Sequence, residues 1–356
     1  MPDILIIGGG IAGVSLAARL APHATVTLLE GEATLAHHAS SRSAALYEPR
    51  YGTPAVVELS LASEGFFQSS GVLSPRGLLM VGDAGKSTGF AAEAAAMGLD
   101  SITSAEACAL VPILRAGAIT HAAYSARAWD IDTDLLIQTF ARQARGAGAQ
   151  IILDARVTRL SKTPTGWTVT TQVGDFSGAT LVNASGPWVD AVAAMAAVAP
   201  LAFTPYRRSM ARIPAPGGQD VARWPMIFGA NESWYAKPDA GALIVSPAEE
   251  HLMEPHDAWA DDLVLAEGLA RYEAFVTEPV TRLLASWAGL RTFSPDRSMV
   301  IGRDARVPDF FWLAGQGGQG FQTCPAASQL AADLILGRPP EVPQTLIAAL
   351  SPARFG

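Results

Sequence analysis

The chain has 356 residues, 49% apolar and 16% charged, enough to bury a large core, which excludes wholesale disorder. Its net charge of −8 argues against nucleic acid or an anionic membrane surface as a partner. Two distant cysteines, Cys108 and Cys324, exclude a disulfide framework, and the six histidines show no metal-ligand spacing. The N-terminal "MPDILIIGGGIAG" lacks a basic start and breaks at Gly8, so it does not read as a signal peptide. The longest apolar stretch, 191–203, is too short to span a bilayer and contains Pro200. The expectation is a cytoplasmic protein with no transmembrane segment.

Residues 4–30 read as strand, tight turn, helix, strand: "ILII", "GGGIAG", "VSLAARLA", "TVTLLE". Helices are expected at 58–70, 87–98 and 104–110, and a strand at 77–82. Residues 134–147 read as a helix capped by Asp132 or Thr133. Residues 149–186 read as a run of strands with polar turns. Between 200 and 290 further strands are expected, including a hairpin turned at Pro238-Asp239-Ala240-Gly241, and then a helix near 261–276. No repeat or low-complexity linker separates two halves, so any two domains interleave.

The first glycine turn carries chemistry through its context. Gly8-x-Gly10-x-x-Gly13 follows a strand and opens a helix, and Glu30 ends the next strand 22 positions after Gly8. Glycines allow a pyrophosphate to approach the backbone, and its charge rests on the helix N-terminus. Glu30 accepts from ribose hydroxyls and disfavours a 2′-phosphate. This reading excludes NADP and leaves NAD and FAD open.

Later segments separate the two. "HHASSRSAALYEPRYG" (37–52), "LVNASGPWVD" (181–190), "WAGLRTFSPDRSMVIG" (287–302) and "LAGQGGQGFQT" (313–323) stand in the order found in the D-amino-acid oxidase-like FAD-dependent oxidoreductases, which the chain resembles over essentially its whole length. Within that family the spellings "RSAA", "YGTP", "DIDTD", "RRS", "KPDAG", "SPA" and "WAGLR" resemble the D-arginine dehydrogenase branch. The resemblance implies an α/β fold: a Rossmann-like FAD-binding domain of the glutathione-reductase type with an interleaved α+β substrate domain. The segments implied are 1–72, 133–204 and 290–356 for FAD, and 73–132 and 205–289 for substrate.

The resemblance also assigns residues. Gly8, Gly10, Ile11, Ala12, Gly13 and Glu30 hold the ADP half of FAD, and Val157 reaches the adenine side. Ser41, Arg42, Ser43 and Ala45 line the path to the isoalloxazine ring, with Ser185, Gly186 and Trp188 nearby. The second glycine loop, with Gly317, Gly318 and Gly320, passes under the ring, and Gln322 and Thr323 add hydrogen bonds. This loop also fits G-x-G-x-x-G through Gly315, but "RPPEVPQ" follows its helix where a dinucleotide unit needs a strand. Sarcosine-oxidase-like relatives place a cysteine near the start of the arginine-bearing strand, where this chain reads Ala288, Gly289 and Leu290, so the FAD is expected to be non-covalent.

On the substrate side, a guanidinium binds a carboxylate through two parallel hydrogen bonds. The resemblance gives this task to Arg291, helped by Arg208 (or its neighbour Arg207), Tyr51 and Tyr235. The pocket is expected to include Leu46, Glu48, Leu78 and Gln319. The D-arginine branch has a histidine at the position of Leu46 and an acid in the strand where this chain reads Gly77-Leu78-Leu79. An unpaired guanidinium against leucine is costly, so the expected substrates are D-amino acids with apolar or small side chains. Glu48 offers a partner for a basic side chain unless it pairs with Arg50. No catalytic triad or paired carboxylates ask for other chemistry. The expected reaction is hydride transfer from Cα to flavin N5, with hydrolysis of the imino acid to a 2-oxo acid and ammonia. Oxygen, a quinone or another acceptor then reoxidises the flavin. Oxidation of N-methyl or cyclic amino acids is the alternative, and a non-catalytic FAD-binding partner protein a further one.

Overall fold

The computed structural model describes residues 3–356. A six-stranded sheet runs in the order Val300–Arg303, Phe310–Ala314, Thr180–Asn183, Ile4–Ile7, Val26–Leu29, Gln150–Ile152. All its pairings are parallel except that of Val300–Arg303 with Phe310–Ala314. Ile4–Ile7, Val26–Leu29 and Phe310–Ala314 are buried throughout, as strands covered on both faces must be. Helices Ile11–Leu20, Thr133–Gly146 and Gly320–Leu336 cover one face. The other carries an antiparallel meander, Val157–Thr163, Gly166–Thr171 and Gly174–Gly178, and helix Val189–Met195.

A second sheet of nine strands runs His251–Leu252, Thr204–Pro214, Ala242–Ser246, Tyr235–Asp239, Met226–Gly229, Leu78–Gly82, His121–Ser125, Asp100–Ile102, with Ala285–Phe293 along the free side of Thr204–Pro214. Strand periodicity divides its residues. Leu79, Val81 and Ile227 pack with Val111 and Tyr272 beneath helices Ser104–Leu110 and Asp262–Glu273. Leu78, Met80, Met226, Phe228 and Tyr235 point the other way and form an apolar wall. A small sheet of Leu46–Tyr47, Trp129–Ile131 and Leu73–Pro75 lies beside it.

Two expected elements differ. The helix over 58–70 is two helices, Pro54–Ala62 and Glu64–Ser70, because Pro54 starts the first one early. Ser63 separates them: its hydroxyl donates to the Leu59 carbonyl and accepts from the Ala326 N–H. The hairpin turn is shorter than expected. Pro238 and Asp239 belong to the strand, and Ala240-Gly241 alone make the turn, both at positive φ (45° and 76°). Such two-residue turns match the strand twist.

Candidate active site

The first and last glycines of the first turn press against main chain. Gly8 sits at φ 110°, and a Cβ there would lie 2.3 Å from the Ala184 carbonyl oxygen. One on Gly13 would lie 2.0 Å from the Gly8 oxygen, so the helix packs directly on the turn. Helix Ile11–Leu20 has no acidic residue in its first turn and no side-chain bond at its Gly10 cap. Its dipole is therefore left for an external anion. Glu30 is buried: its carboxylate accepts from the N–H groups of Gly9 (2.6 Å) and Glu32 (2.9 Å) and lines the groove beside Gly8 and Gly10.

Three pockets run end to end from this turn. The first holds Gly8, Gly10, Glu30, Val157, Ser185, Gly186 and Trp188. The second, sharing Gly10, Ser40 and Gly186 with it, adds Ile11, Ala12, Arg42, Ser43, Gly289, Gly317, Gly318 and Gly320. The third shares Ser43, Arg208, Arg291 and Gly318 with the second and contains Ala45, Leu46, Glu48, Tyr51, Leu78, Tyr235, Gln319 and Gln322. The first two form one continuous groove that ends at the third. Gly13 lines none of them; it works through packing.

Two expected residues lie elsewhere. The exposed Ser41 donates to the carbonyls of His37 and His38 in its own turn. Its neighbour Ser40 takes the place on the groove and accepts from the Ile11 N–H at 3.1 Å. Sequence reading missed Ser40 because the two positions are spelled alike. Thr323 is fully buried and donates back to the Gln319 carbonyl at 2.8 Å, so it caps a helix turn away from the pockets. Gln322 does line the third pocket, where it holds the facing loop: it donates to the Tyr51 carbonyl and accepts from the Glu48 N–H.

Arg42 spans the two sheets. Its guanidinium donates to the carbonyls of Ala258 (2.8 Å) and Ala288 (2.9 Å) and pairs with Asp257. His37 and His38 approach the same Asp257, and His38 also meets Glu32, which Arg156 pairs. The fold thus gathers Glu32, His37 and His38 within ligand distance of one another, where sequence spacing showed no metal pattern. They flank the nucleotide groove. No histidine lines the third pocket among the described residues, which leaves His37, His38 and His121 outside it.

The third pocket is built on one antiparallel pairing. Tyr206 faces Arg291, and Arg208 faces Gly289, which puts both guanidinium groups on the same face of the sheet. Arg207 points the opposite way, toward Glu249, His251 and Asp261. Arg208 is 3% exposed and donates to the Glu249 carbonyl through Nε, while one of its terminal nitrogens has no hydrogen-bond partner. Burial and the neighbouring Arg291 lower its pKa. The Arg291 side chain forms no hydrogen bond or ion pair among the described residues. Burial opposes its charge, but Tyr235, Tyr51, Glu232 and Glu250 outweigh that and raise its pKa. A Cβ on Gly318 would stand 2.9 Å from Arg291 Cζ, so the second glycine loop leaves the guanidinium room. The Tyr51 hydroxyl donates to Glu232 at 2.5 Å, and the Tyr235 hydroxyl faces only Met210 Sδ at 3.7 Å.

The rest of the pocket is apolar: Leu46, Leu78, Met97, Met226, Phe228 and Phe321. Met226 and Phe228 were not legible in advance. They reach the site because their strand pairs in parallel with Leu78–Gly82, far away in sequence. On its outer side the pocket opens toward Arg50, Glu93, Glu232, Glu250 and Arg297.

The family model for FAD dependent oxidoreductases (DAO) matches residues 3–334. An N-methyl-L-tryptophan oxidase from Salmonella agona (strain SL483) is 26% identical over 223 residues, which cover 58% of this chain and 57% of that protein. The match therefore spans little more than half of the relative's length. Among solved structures, L-proline dehydrogenase from P. horikoshii superposes with a TM-score of 0.85 at 23% identity, covering 99% of this chain and 97% of that one. Glycine oxidase from Geobacillus kaustophilus gives 0.84 at 20% identity, covering 98% of each.

Proposed function

The chain belongs to the FAD-dependent oxidoreductase (DAO) family and takes FAD as its cofactor, and we propose that it oxidatively deaminates D-amino acids with apolar or small side chains. The observation that supports this most is Arg291: a half-buried guanidinium with no hydrogen bond or ion pair among the described residues, beside Arg208, Tyr51 and Tyr235, at the edge of an apolar wall. A partly desolvated cation left free is costly unless a ligand supplies the anion.

The residues present suit FAD. The glycine turn, the acid-free helix N-terminus and Glu30 fit the nucleotide, and Gly289, Gly317 and Gly318 leave space along the groove for its ring. When bound, FAD supplies the acceptor for the hydride from Cα. Arg291 takes the α-carboxylate through two parallel hydrogen bonds, and Arg208 and the hydroxyls of Tyr51 and Tyr235 complete the hold. Leu46, Leu78, Met226 and Phe228 surround the side chain and keep water from it. The amine proton leaves to water, since no histidine among the described residues lines the pocket. The imino acid product reacts with water to give a 2-oxo acid and ammonia, and an acceptor (oxygen, a quinone or another) removes the two electrons.

Supporting a second reading, the curated relative acts on an N-methyl amino acid, and an apolar pocket accommodates secondary amines equally well. One experiment separates the two. The flavoprotein is mixed anaerobically with D- and L-amino acids and their N-methyl forms, and bleaching of the flavin band is followed. Fast bleaching by D-Leu, D-Met or D-Phe supports the first reading. Clearly faster bleaching by D-Arg at pH 6 removes the apolar preference, and bleaching by secondary amines alone replaces the reading with the second.

A further inference from the structure

The apolar pocket contains one carboxyl. Glu48 is 4% exposed and lines the pocket beside Leu46, Met97 and Gln322. On its other side lies an outer depression with Arg50, Glu64 and Arg127. The Glu48 side chain accepts one hydrogen bond, from the Arg50 backbone N–H at 3.2 Å, and forms no ion pair among the described residues. The Arg50 side chain, its neighbour in sequence, is exposed and does not pair with it.

An ionised carboxylate buried without a cation is costly, so the site needs either a proton on Glu48 or a positive charge from a ligand. Burial pushes the carboxyl up to about 7, against the lowering influence of the Arg50 N–H and of the Arg50 and Arg127 charges. The other groups packed around it are Glu64 at the start of helix Glu64–Ser70, the buried phenol of Tyr47, and the neutral amide of Gln322. Tyr47 stays un-ionised, its pKa raised by burial and by Glu64 and Glu48.

We propose that Glu48 reads the far end of the substrate's side chain: protonated, it admits apolar side chains, and ionised, it admits side chains that end in an amine or guanidinium. This rests on the amino-acid oxidation reading of the site. The pocket then pairs two fixed cations for the α-carboxylate with one switchable anion for the side chain, so specificity changes with pH.

The test is the ratio of kcat/KM for D-Lys or D-Arg to that for D-Leu or D-Met, measured anaerobically between pH 6 and 9. The α-amine ionises in both substrate classes and largely cancels in the ratio. The ratio is expected to rise about tenfold per pH unit, about 100-fold between pH 6 and 8, because ionised Glu48 is gained while the protonated form is lost. In Glu48→Gln the rise is expected to vanish. A flat ratio in the native protein overturns the proposal, as does a rise that survives in Glu48→Gln. So does a pH step that Glu48→Gln removes from both substrate classes alike, which would assign Glu48 to the α-amine. If D-Leu and D-Met bleach the flavin but the ratio is flat, only Glu48's role fails. If no amino acid bleaches it, the oxidation reading fails and the proposal with it.

A second readout needs no turnover. A folded-state pKa above the unfolded value gives stability that is present in acid and lost as pH rises through about 7. Glu48→Gln is therefore expected to melt above the native protein at pH 8.5, by more than any difference at pH 5. The same offset at both values would overturn the buried ionisation.

Discussion

At Gly8 and Gly13 of the first turn an added side chain would strike backbone: the Ala184 carbonyl and the Gly8 oxygen. In the loop at Gly315–Gly320 it would strike side chains instead: Phe203 from Gly315, Phe293 from Gly317, and Arg291 from Gly318. The two loops share a spacing, but different things press on them. Backbone cannot step aside without moving strands, whereas a side chain can change rotamer. Damage to the first loop is therefore damage to the fold and cofactor, and damage to the second is damage to the site.

Gly13→Ala would cost the most. Its Cβ would stand 2.0 Å from a backbone oxygen, and overpacking of this kind costs about 3 kcal/mol or more. The flavin-to-protein absorbance ratio and the melting temperature should both fall; a fully loaded, equally stable variant would break the distinction between the loops. Next, Arg291→Met should lower kcat/KM by about 100-fold, the worth of a charge-assisted hydrogen-bond pair, with the flavin retained. Steady-state kinetics beside the absorbance ratio would check both halves. Gly318→Ala should displace that same guanidinium by a few tenths of an ångström and cost about tenfold, mostly in KM. Flavin loss in this variant would mean that the second loop, too, holds the cofactor by its backbone. The smallest effect is expected from Tyr51→Phe, about three- to tenfold in kcat/KM for one neutral hydrogen bond; an unchanged value would place Tyr51 at the wall without a role in holding substrate.

The same contrast explains what the sequence made legible. The first glycine turn, its strand and its helix are local, so Gly8, Gly10, Gly13 and Glu30 could be read from spacing within 30 residues. The strand and helix at 77–82 and 104–110 were legible for the same reason. The substrate pocket is assembled from strands that meet only in the fold. Leu78 meets Met226 and Phe228 through a pairing across roughly 150 positions, and no local pattern shows it. Arg208 and Arg207 could be told apart only once the register with Ala285–Phe293 fixed which face each occupies. Ser40 and Ser41 differ by which hydroxyl finds the Ile11 N–H, a matter of loop path. Gly77-Leu78-Leu79 marked a pocket without an acid, but Glu48 lay in a loop where a surface pair with Arg50 was an equally good reading.

The close approach of Gly8 to Ala184 has a consequence for biosynthesis. The glycine turn leaves the ribosome well before one wall of its groove, residues 184–188, and the strand that leads into Ala184 pairs with Ile4–Ile7. At about 5–20 residues per second, the turn waits many seconds for the partner that completes it. The next strand in the sheet, Phe310–Ala314, comes later still. A nascent chain that stops short of Thr180 thus carries the whole fingerprint and no finished groove, so the groove closes only after that strand has been made.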